Sequence, residues 1–224
     1  MLGDVLLIND LHKKAAESIY GYLLKEIRLK KKGYRFIVAI SGESGAGKSE
    51  LSHSLALLLK NKDIRVKILH TDNYYKISPN LRNQWRKDHG IKHVGVTEYD
   101  WKLLNRNIRE FKEGREALMP CVDIVSKQID KLITNFSDID ILVVDGLYAI
   151  KIQNIDLRVY IDLTYHDTKK TRGVRGKENN DHFRFEVLEM EHQNMLALKP
   201  KADLIVNKSY EVEQAGEKQN HLVF

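Results

Sequence analysis

Residues 42–49 carry the clearest chemical pattern in this chain of 224 residues. They read Gly-Glu-Ser-Gly-Ala-Gly-Lys-Ser and directly follow an apolar run. The glycines let the backbone wrap so closely that its N–H groups point at phosphate oxygens, and the following helix adds the positive end of its dipole. Lys48 is expected on the β- and γ-phosphates and Ser49 on Mg²⁺. A nucleoside triphosphate is therefore predicted to bind Gly42, Glu43, Ser44, Gly45, Ala46, Gly47, Lys48 and Ser49.

Two aspartates that follow predicted strands extend this chemistry. Asp145 comes directly after the apolar run Ile139–Val144. A carboxylate there can hold Mg²⁺ directly or through water, although a helix cap or a solvated strand end is the plainer alternative. Asp72 follows Ile64–Leu69, at the sheet edge where ligands bind in open α/β folds. It suits a proton acceptor for an attacking hydroxyl, and a turn cap is the alternative.

These side chains need a scaffold in which several strands end together. Phe36–Ile40 is a continuous apolar run, which is typical of a strand buried on both faces. Helical patterns separate most of the apolar runs. Further strands are predicted at 64–69, 139–144, 157–163 and 204–206, and helices at 10–30, from the loop to about residue 61, and from Asp100 to Gly114. This alternation predicts an α/β fold with a parallel sheet of about five strands flanked by helices.

Two short strands are predicted outside this sheet. Cys121–Val125 and Lys131–Thr134 are joined by a polar turn, and we expect a small hairpin that lies over the site. The last residues, from about Gln214, are polar and are expected to fray.

Composition narrows the functional classes. No stretch approaches 18 uncharged apolar residues, so neither a membrane span nor membrane binding is expected, and the first residues do not resemble a signal peptide. The single cysteine, Cys121, fits a cytoplasmic location. Despite the net charge of +6, the basic run Lys25–Lys32 is interpreted as a solvated helix end and not as a nucleic-acid site, because no aromatic residues are interleaved with it.

A GTPase switch is disfavoured by two segments. Asn207-Lys208-Ser209-Tyr210 lacks the aspartate that reads guanine in Asn-Lys-x-Asp, and Asp145-Gly146 does not continue as Asp-x-x-Gly. Motor ATPases and helicases are usually larger and carry sensor elements that we do not find.

Several segments, in order along the chain, resemble the uridine kinase and phosphoribulokinase group of P-loop kinases. The resemblance covers roughly residues 34–210 and begins with the glycine loop. Thr71–Lys76 is similar to the group's Asp-Ser-Phe-Tyr-Lys segment, and Ala202–Val206 to its Ala-Asp-x-Ile-Ile segment. Shorter similarities lie at 99–101, 120–123 and 143–147. The resemblance implies a three-layer P-loop fold, the use of ATP and Mg²⁺, and phosphoryl transfer to a hydroxyl of a small molecule.

The same resemblance implies a helical lid at about residues 168–182. Arg172 and Arg175 would close over the triphosphate and neutralise transition-state charge, and the glycines beside them permit hinge motion. A solvated charged loop is the alternative. The implied organisation is an N-terminal helix at 1–33, a kinase domain at 34–210 and a tail at 211–224.

The acceptor half of the site departs from the nucleoside enzymes of this group. Val94 lies in the stretch where those enzymes have an aspartate for the ribose hydroxyls, and Val122 stands where they have a tyrosine. The resemblance therefore does not imply that uridine is the acceptor. The polar groups expected around the acceptor are Tyr75, Asp100, Asp123 and Lys127, with His70 and His93 as further candidates. Asp100 as a helix cap and Lys127 as a turn residue are equally good interpretations.

The leading hypothesis is thus a cytoplasmic small-molecule kinase in which Lys48, Asp72, Arg172 and Arg175 act in catalysis and Ser49 and Asp145 hold the metal. The alternative is a nucleotide-binding regulatory or interaction protein with little or no kinase activity. A homo-oligomer is left open.

Overall fold

The computed structural model describes residues 5–126, 128–169 and 182–216. Within these ranges the chain forms one central sheet, one separate hairpin and helices that cover both faces of the sheet. The helices are α1 (Asp10–Arg28), α2 (Lys48–Lys60), α3 (Pro79–His89), α4 (Trp101–Lys112) and α5 (His182–Leu198). The strands are β1 (Phe36–Gly42), β2 (Val66–His70), β3 (Glu116–Val122), β4 (Ile129–Asn135), β5 (Ile141–Asp145), β6 (Leu157–Ile161), β7 (Leu204–Val206) and β8 (Val212–Gln214).

The central sheet has the order β2-β5-β1-β6-β7-β8. Its first five strands run parallel, and β8 pairs antiparallel with β7. The predicted α/β class with a mostly parallel sheet is confirmed. Residues 212–214 lie in the sheet, although the sequence analysis placed them in the tail, because a three-residue strand is too short to give a periodic signal.

Side chains of β1 alternate between two apolar cores. Ile37 and Ala39 enter a core that also receives α4, the hairpin and α5. Phe36, Val38 and Ile40 enter the opposite core, which α1 and α2 complete. All residues of β1 are buried, as expected for a central strand covered on both faces. The strand is therefore held rigidly, and so is the loop that follows it.

The hairpin is longer than predicted and begins earlier. β3 and β4 pair antiparallel from Glu116 opposite Asn135 to Val122 opposite Ile129. The predicted first strand, Cys121–Val125, extends too far, because the observed strand ends at Val122 and the turn begins at Ile124. The apolar run Ala117–Val122 contains Pro120, and a proline inside a run weakens the prediction of a strand.

Helix α3 was not predicted. Its mean composition is polar, and only Arg86 is fully buried. Its boundary signals were nevertheless present, because Pro79 occupies the first turn and Gly90, with φ of +86°, ends the helix. These signals mark a helix even where apolar periodicity is weak.

Helix α1 packs on α2 through Ala15, Ala16, Ile19 and Leu23. Leu11 lies one helical turn before Ala15 but is exposed. Among the described segments, none of the helices has an apolar stretch long enough to span a lipid bilayer.

Candidate active site

The glycine loop connects the end of β1 to the start of α2. Gly45 and Gly47 have φ angles of +77° and +83°, which favour glycine. Ala46 N donates to Glu43 O at 3.1 Å, and Lys48 Nζ donates to the same carbonyl oxygen at 2.9 Å. The loop is therefore wrapped around its own lysine, in the form that a phosphate-binding loop requires.

Because Gly47 has no side chain, Tyr210 and His12 can pack against the loop at this position. A β-carbon there would lie 2.0 Å from Tyr210 Oη and 2.9 Å from His12 Nε2. Tyr210 Oη donates to Ala46 O at 2.6 Å, and the rings of His12 and Tyr210 meet edge to face. Helix α1 and the segment after β7 thus support the outer side of the loop.

Glu43 connects the loop to α5 and to the segment that follows β6. Its side chain is almost fully buried. One carboxylate oxygen is 2.6 Å from Nδ1 of His192 on α5, and the other accepts the backbone N–H of Tyr165 at 2.6 Å. Sequence reasoning placed Glu43 among the phosphate-binding residues, but the structure shows that its carboxylate points into this network.

Asp145 ends β5, between the ends of β1 and β2. It lies opposite Ile40 in one strand and opposite His70 in the other. His70 Nδ1 is 3.0 Å from Asp145 Oδ2, and His53 stacks on the His70 ring. Burial opposes ionisation of Asp145, but hydrogen bonds from His70 and Ser49 and the charges of His70 and Lys48 lower its pKa. The carboxyl group is therefore ionised at neutral pH.

Asp72 lies in a short 3₁₀ turn, Thr71–Tyr74, that follows β2. The residues on either side of Asp72 hold this turn in place: Gly146 packs tightly against Thr71, and Asn73 Oδ1 accepts the N–H of Val122 at 3.1 Å. Tyr74 Oη donates to Asn107 on α4 at 2.9 Å. The position of Asp72 is thus set by β5, the hairpin and α4 together.

Asp72 faces a cavity of about 170 Å³. The cavity brings together four residues that the sequence predicted: Ser44 and Lys48 from the glycine loop, and Asp72 and Tyr75 from the segment after β2. The remaining lining residues are Arg82, Arg86, Leu147, Arg184 and Glu191. A lysine that can hold a phosphate and a carboxylate that can accept a proton therefore share one space.

A larger groove of about 570 Å³ lies between α2, β2 and the hairpin. Its lining is mostly apolar and contains no carboxylate among the described residues. It includes neither Lys48 of the glycine loop nor Asp72, whereas the smaller cavity includes both, so the smaller cavity is the candidate active site.

Several charged residues of this site were missed by sequence reasoning. Arg86 is buried and makes two hydrogen bonds to Glu98, at 2.6 and 2.8 Å. Its guanidinium is also 3.5 Å from Glu191 on α5, which lies 3.9 Å from Arg184. These residues come from three distant segments with no shared motif, and only the end signals of α3 could have drawn attention to Arg82 and Arg86.

Two predicted acceptor residues have local structural partners. Asp100 caps α4, where one of its oxygens accepts Leu103 N at 2.9 Å. Asp123 Oδ1 accepts two N–H groups of the hairpin turn, from Val125 and Ser126, and these bonds lower its pKa. Neither residue lines the cavity formed by the described part of the chain. Their role toward an acceptor stays a prediction.

The other predicted residues lie outside the described ranges. Lys127, Arg172 and Arg175 belong to this group, and the lid expected at 168–182 is described only at its ends.

The end of β5 and the first turn of α2 provide groups suited to Mg²⁺. Asp145 presents an ionised carboxylate that is hydrogen-bonded to Ser49. Within the described residues, no group of three or more histidine, cysteine, aspartate or glutamate side chains could hold a metal. A Mg²⁺ ion bound through one or two protein groups, water and phosphate oxygens needs no such cluster. The residues present therefore fit this ion.

The fold and the site together define the class of P-loop nucleotide-binding folds: a parallel sheet, a glycine loop that opens a helix, and a carboxylate at the facing strand end. The family model described as "Phosphoribulokinase / Uridine kinase family" matches residues 37–173, and the chain belongs to this family.

Among curated proteins, the uridine kinase of Mycoplasma genitalium is 32% identical over 111 residues, which cover 50% of this chain and 51% of the relative. The uridine kinase of Macrococcus caseolyticus is 26% identical over 56% of this chain and 61% of its own length. The chain thus matches between half and about three fifths of these relatives.

Solved structures show the same fold at low sequence identity. D-glycerate 3-kinase from Cryptococcus neoformans superimposes with a TM-score of 0.61 at 14% identity, over 92% of this chain and 100% of that one. Phosphoribulokinase from Rhodobacter spheroides gives a TM-score of 0.57 at 13% identity, over 79% of this chain and 71% of that one.

Proposed function

We propose that this protein is an ATP- and Mg²⁺-dependent kinase that transfers the γ-phosphoryl group to a hydroxyl of a small molecule. One observation carries the proposal: Lys48 and Asp72, from separate strand ends, line the same cavity. Membership in the phosphoribulokinase and uridine kinase family supports it. The single cysteine, Cys121, supports a cytoplasmic location.

The donor half of the site binds the triphosphate. The backbone N–H groups of the glycine loop and the start of α2 hold phosphate oxygens, and Lys48 adds a positive charge. In the structure Lys48 Nζ rests on Glu43 O at 2.9 Å, so the ammonium group already lies over the loop. Ser49 and Asp145 would hold Mg²⁺, which supplies positive charge that stabilises the charge developing on the phosphoryl oxygens.

Asp72 acts on the acceptor. Its carboxylate orients the acceptor hydroxyl and takes the hydroxyl proton as the oxygen attacks the γ-phosphorus. One oxygen–phosphorus bond forms, the bond from the γ-phosphorus to the bridging oxygen breaks, and ADP leaves with that electron pair. Tyr75, beside Asp72, remains a neutral hydroxyl because burial, and then the nearby Asp72 charge, raises its pKa. It can therefore donate a hydrogen bond to the acceptor.

The test is an acceptor panel of nucleosides, phosphorylated sugars, pantothenate and glycerate, assayed by acceptor-dependent release of ADP. With an acceptor that is turned over, Asp72→Asn should lower kcat by at least about 100-fold while the Kd for ATP stays within about twofold. The matched control is Asp63→Asn, an exposed aspartate at the opposite end of β2 that already has a positive φ, which asparagine accepts.

Full activity of Asp72→Asn would remove Asp72 from its role. ATP binding without turnover of any acceptor would contradict the kinase proposal and favour a nucleotide-binding regulator.

A further inference from the structure

Arg82 is a half-buried cation in the wall of the candidate active site. It lines the same cavity as Asp72, and it comes from α3. Its guanidinium lies over the ring of Tyr75, with 3.4 Å between the guanidinium carbon and the ring centroid. The Tyr75 ring in turn packs on Tyr99 at 4.1 Å between centroids. Stacking on a fixed aromatic ring holds the guanidinium plane in one orientation.

Arg82 forms no direct ion pair with a carboxylate of the described residues, although Asp72 and Glu191 line the same cavity. Within the described ranges, no aspartate or glutamate oxygen lies within ion-pair distance of it, and its hydrogen bonds go to the carbonyl of Ile77 at 3.3 and 3.4 Å. The neighbouring arginines differ in this respect. Arg86 is paired with Glu98, and Arg184 lies 3.9 Å from Glu191. A half-buried cation without a directly paired carboxylate favours the binding of an anion at this position.

The two walls of the cavity indicate which anion this is. Ser44 and Lys48 come from the glycine loop, which faces the donor triphosphate. Tyr75 and Arg82 come from the segment that follows Asp72, on the side from which a hydroxyl must approach its proton acceptor. An anion held by Arg82 would therefore lie on the acceptor side of the cavity.

We propose that the acceptor carries a phosphate or carboxylate group and that Arg82 binds this group, so that a neutral nucleoside is a poor acceptor. The inference rests on the proposed kinase function. The anionic group is not altered in the reaction; it positions the molecule so that its hydroxyl faces Asp72. A guanidinium suits this task because its N–H groups can bind both oxygens of a carboxylate or phosphate at once.

Matched pairs of compounds test the proposal in the full-length protein. D-glycerate is compared with glycerol, ribose 5-phosphate with ribose, and uridine serves as the neutral nucleoside. We expect turnover with at least one anionic member and weak or no turnover with its neutral counterpart. Arg82→Gln should raise the KM for that acceptor by about 10- to 100-fold, the loss of one charge-assisted hydrogen-bonded contact, and leave the KM for ATP unchanged. Arg82→Lys should restore part of the affinity.

The control variant is Arg109→Gln, an exposed arginine on α4, which should behave as wild type. A second readout is calorimetric binding of each compound in the presence of a non-hydrolysable ATP analogue. It separates failure of this inference from failure of the kinase proposal.

Preferred turnover of glycerol, ribose or uridine would overturn the anionic acceptor and leave the kinase function intact. A fall in kcat with Arg82→Gln at unchanged acceptor KM would place Arg82 on the transferred phosphoryl group and would also overturn it. Binding of an anionic compound that Arg82→Gln abolishes, without turnover, would support the anion site and contradict the kinase function. Neither binding nor turnover of any compound would contradict both.

Discussion

Gly146 lies where the strand end that carries Asp145 meets the turn that carries Asp72. A β-carbon on Gly146 would be 1.6 Å from Thr71 Oγ1, 2.7 Å from Thr71 Cβ and 3.0 Å from Thr71 Cγ2. Thr71 is almost fully buried, so its side chain has no free space into which it can rotate. Gly146→Ala must therefore push the turn away from β5.

Overpacking of this kind costs about 1–3 kcal/mol, and we expect the upper part of this range because one of the close contacts is to Cβ, which moves only with the backbone. The displaced turn carries Asp72 away from Lys48. A shift of about 1 Å in a reacting group costs about 100-fold in rate, so kcat should fall more than ATP affinity.

The contact can be relieved from the other side. Thr71→Ala removes Oγ1 and Cγ2 but keeps Cβ, so it should rescue Gly146→Ala in part. Among the described residues the Thr71 hydroxyl has no hydrogen-bond partner, so the single change should cost about 1 kcal/mol, the value of one buried methyl group. The double-mutant cycle should show a favourable coupling of about 1 kcal/mol or more.

Urea unfolding measures both variants, with ADP release as the activity assay. Gly21→Ala is the control, because Gly21 is exposed in α1 with no atom within 4 Å of an added β-carbon. This change should stabilise the protein by about 0.5–1 kcal/mol. Wild-type stability of Gly146→Ala, or strictly additive effects in the cycle, would refute the steric reasoning.

Two further predictions concern ion pairs. Glu98→Gln leaves Arg86 buried without its main carboxylate and should destabilise the protein by about 3–5 kcal/mol in urea unfolding. A loss below about 1 kcal/mol would mean that Glu191 replaces Glu98 as the partner of Arg86. The hydrogen bond from Lys208, followed by bonds from Thr164, lowers the pKa of Asp167 from 3.8 to about 2. The ionised carboxylate therefore stabilises the fold above pH 3.8, and this contribution is lost as the pH falls toward 2. In a carboxyl-carbon NMR titration, Lys208→Met should raise the Asp167 pKa toward 3.8, and an unchanged titration would show that Thr164 alone sets it.

Much of the fold could be predicted from local patterns. Phe36–Ile40 was recognised as a central strand because every residue is apolar, and the cap at Asp100 because its type and position match a helix start. α3 and the limits of β3 could not be recognised in this way. Helix α3 is partly exposed, so its apolar residues do not form a clear period, and the apolar run of β3 contains Pro120.

The donor half of the candidate site could be predicted for the same local reason. A glycine loop of this type binds phosphate through its own backbone, so consecutive residues are enough to predict it. The prediction of Tyr75 beside Asp72 also rested on one short segment, and the structure places both in the cavity. Asp123, by contrast, was expected near the acceptor, and its oxygen is used by the hairpin turn.

The sequence by itself determined the chemistry of the glycine loop, the two aspartates at strand ends and the parallel sheet that brings them to one edge. These features depend on residues that are neighbours in the chain or on a simple alternation of strands and helices. Only the tertiary structure decided which side chains complete the cavity. Arg82 on α3 lies far in sequence from Arg184 and Glu191 on α5, and their meeting depends on how these two helices pack beside the sheet. Long-range packing of this kind leaves no periodic signal in the sequence. Arg82 could therefore be assigned to the cavity that contains Asp72 only from the folded protein.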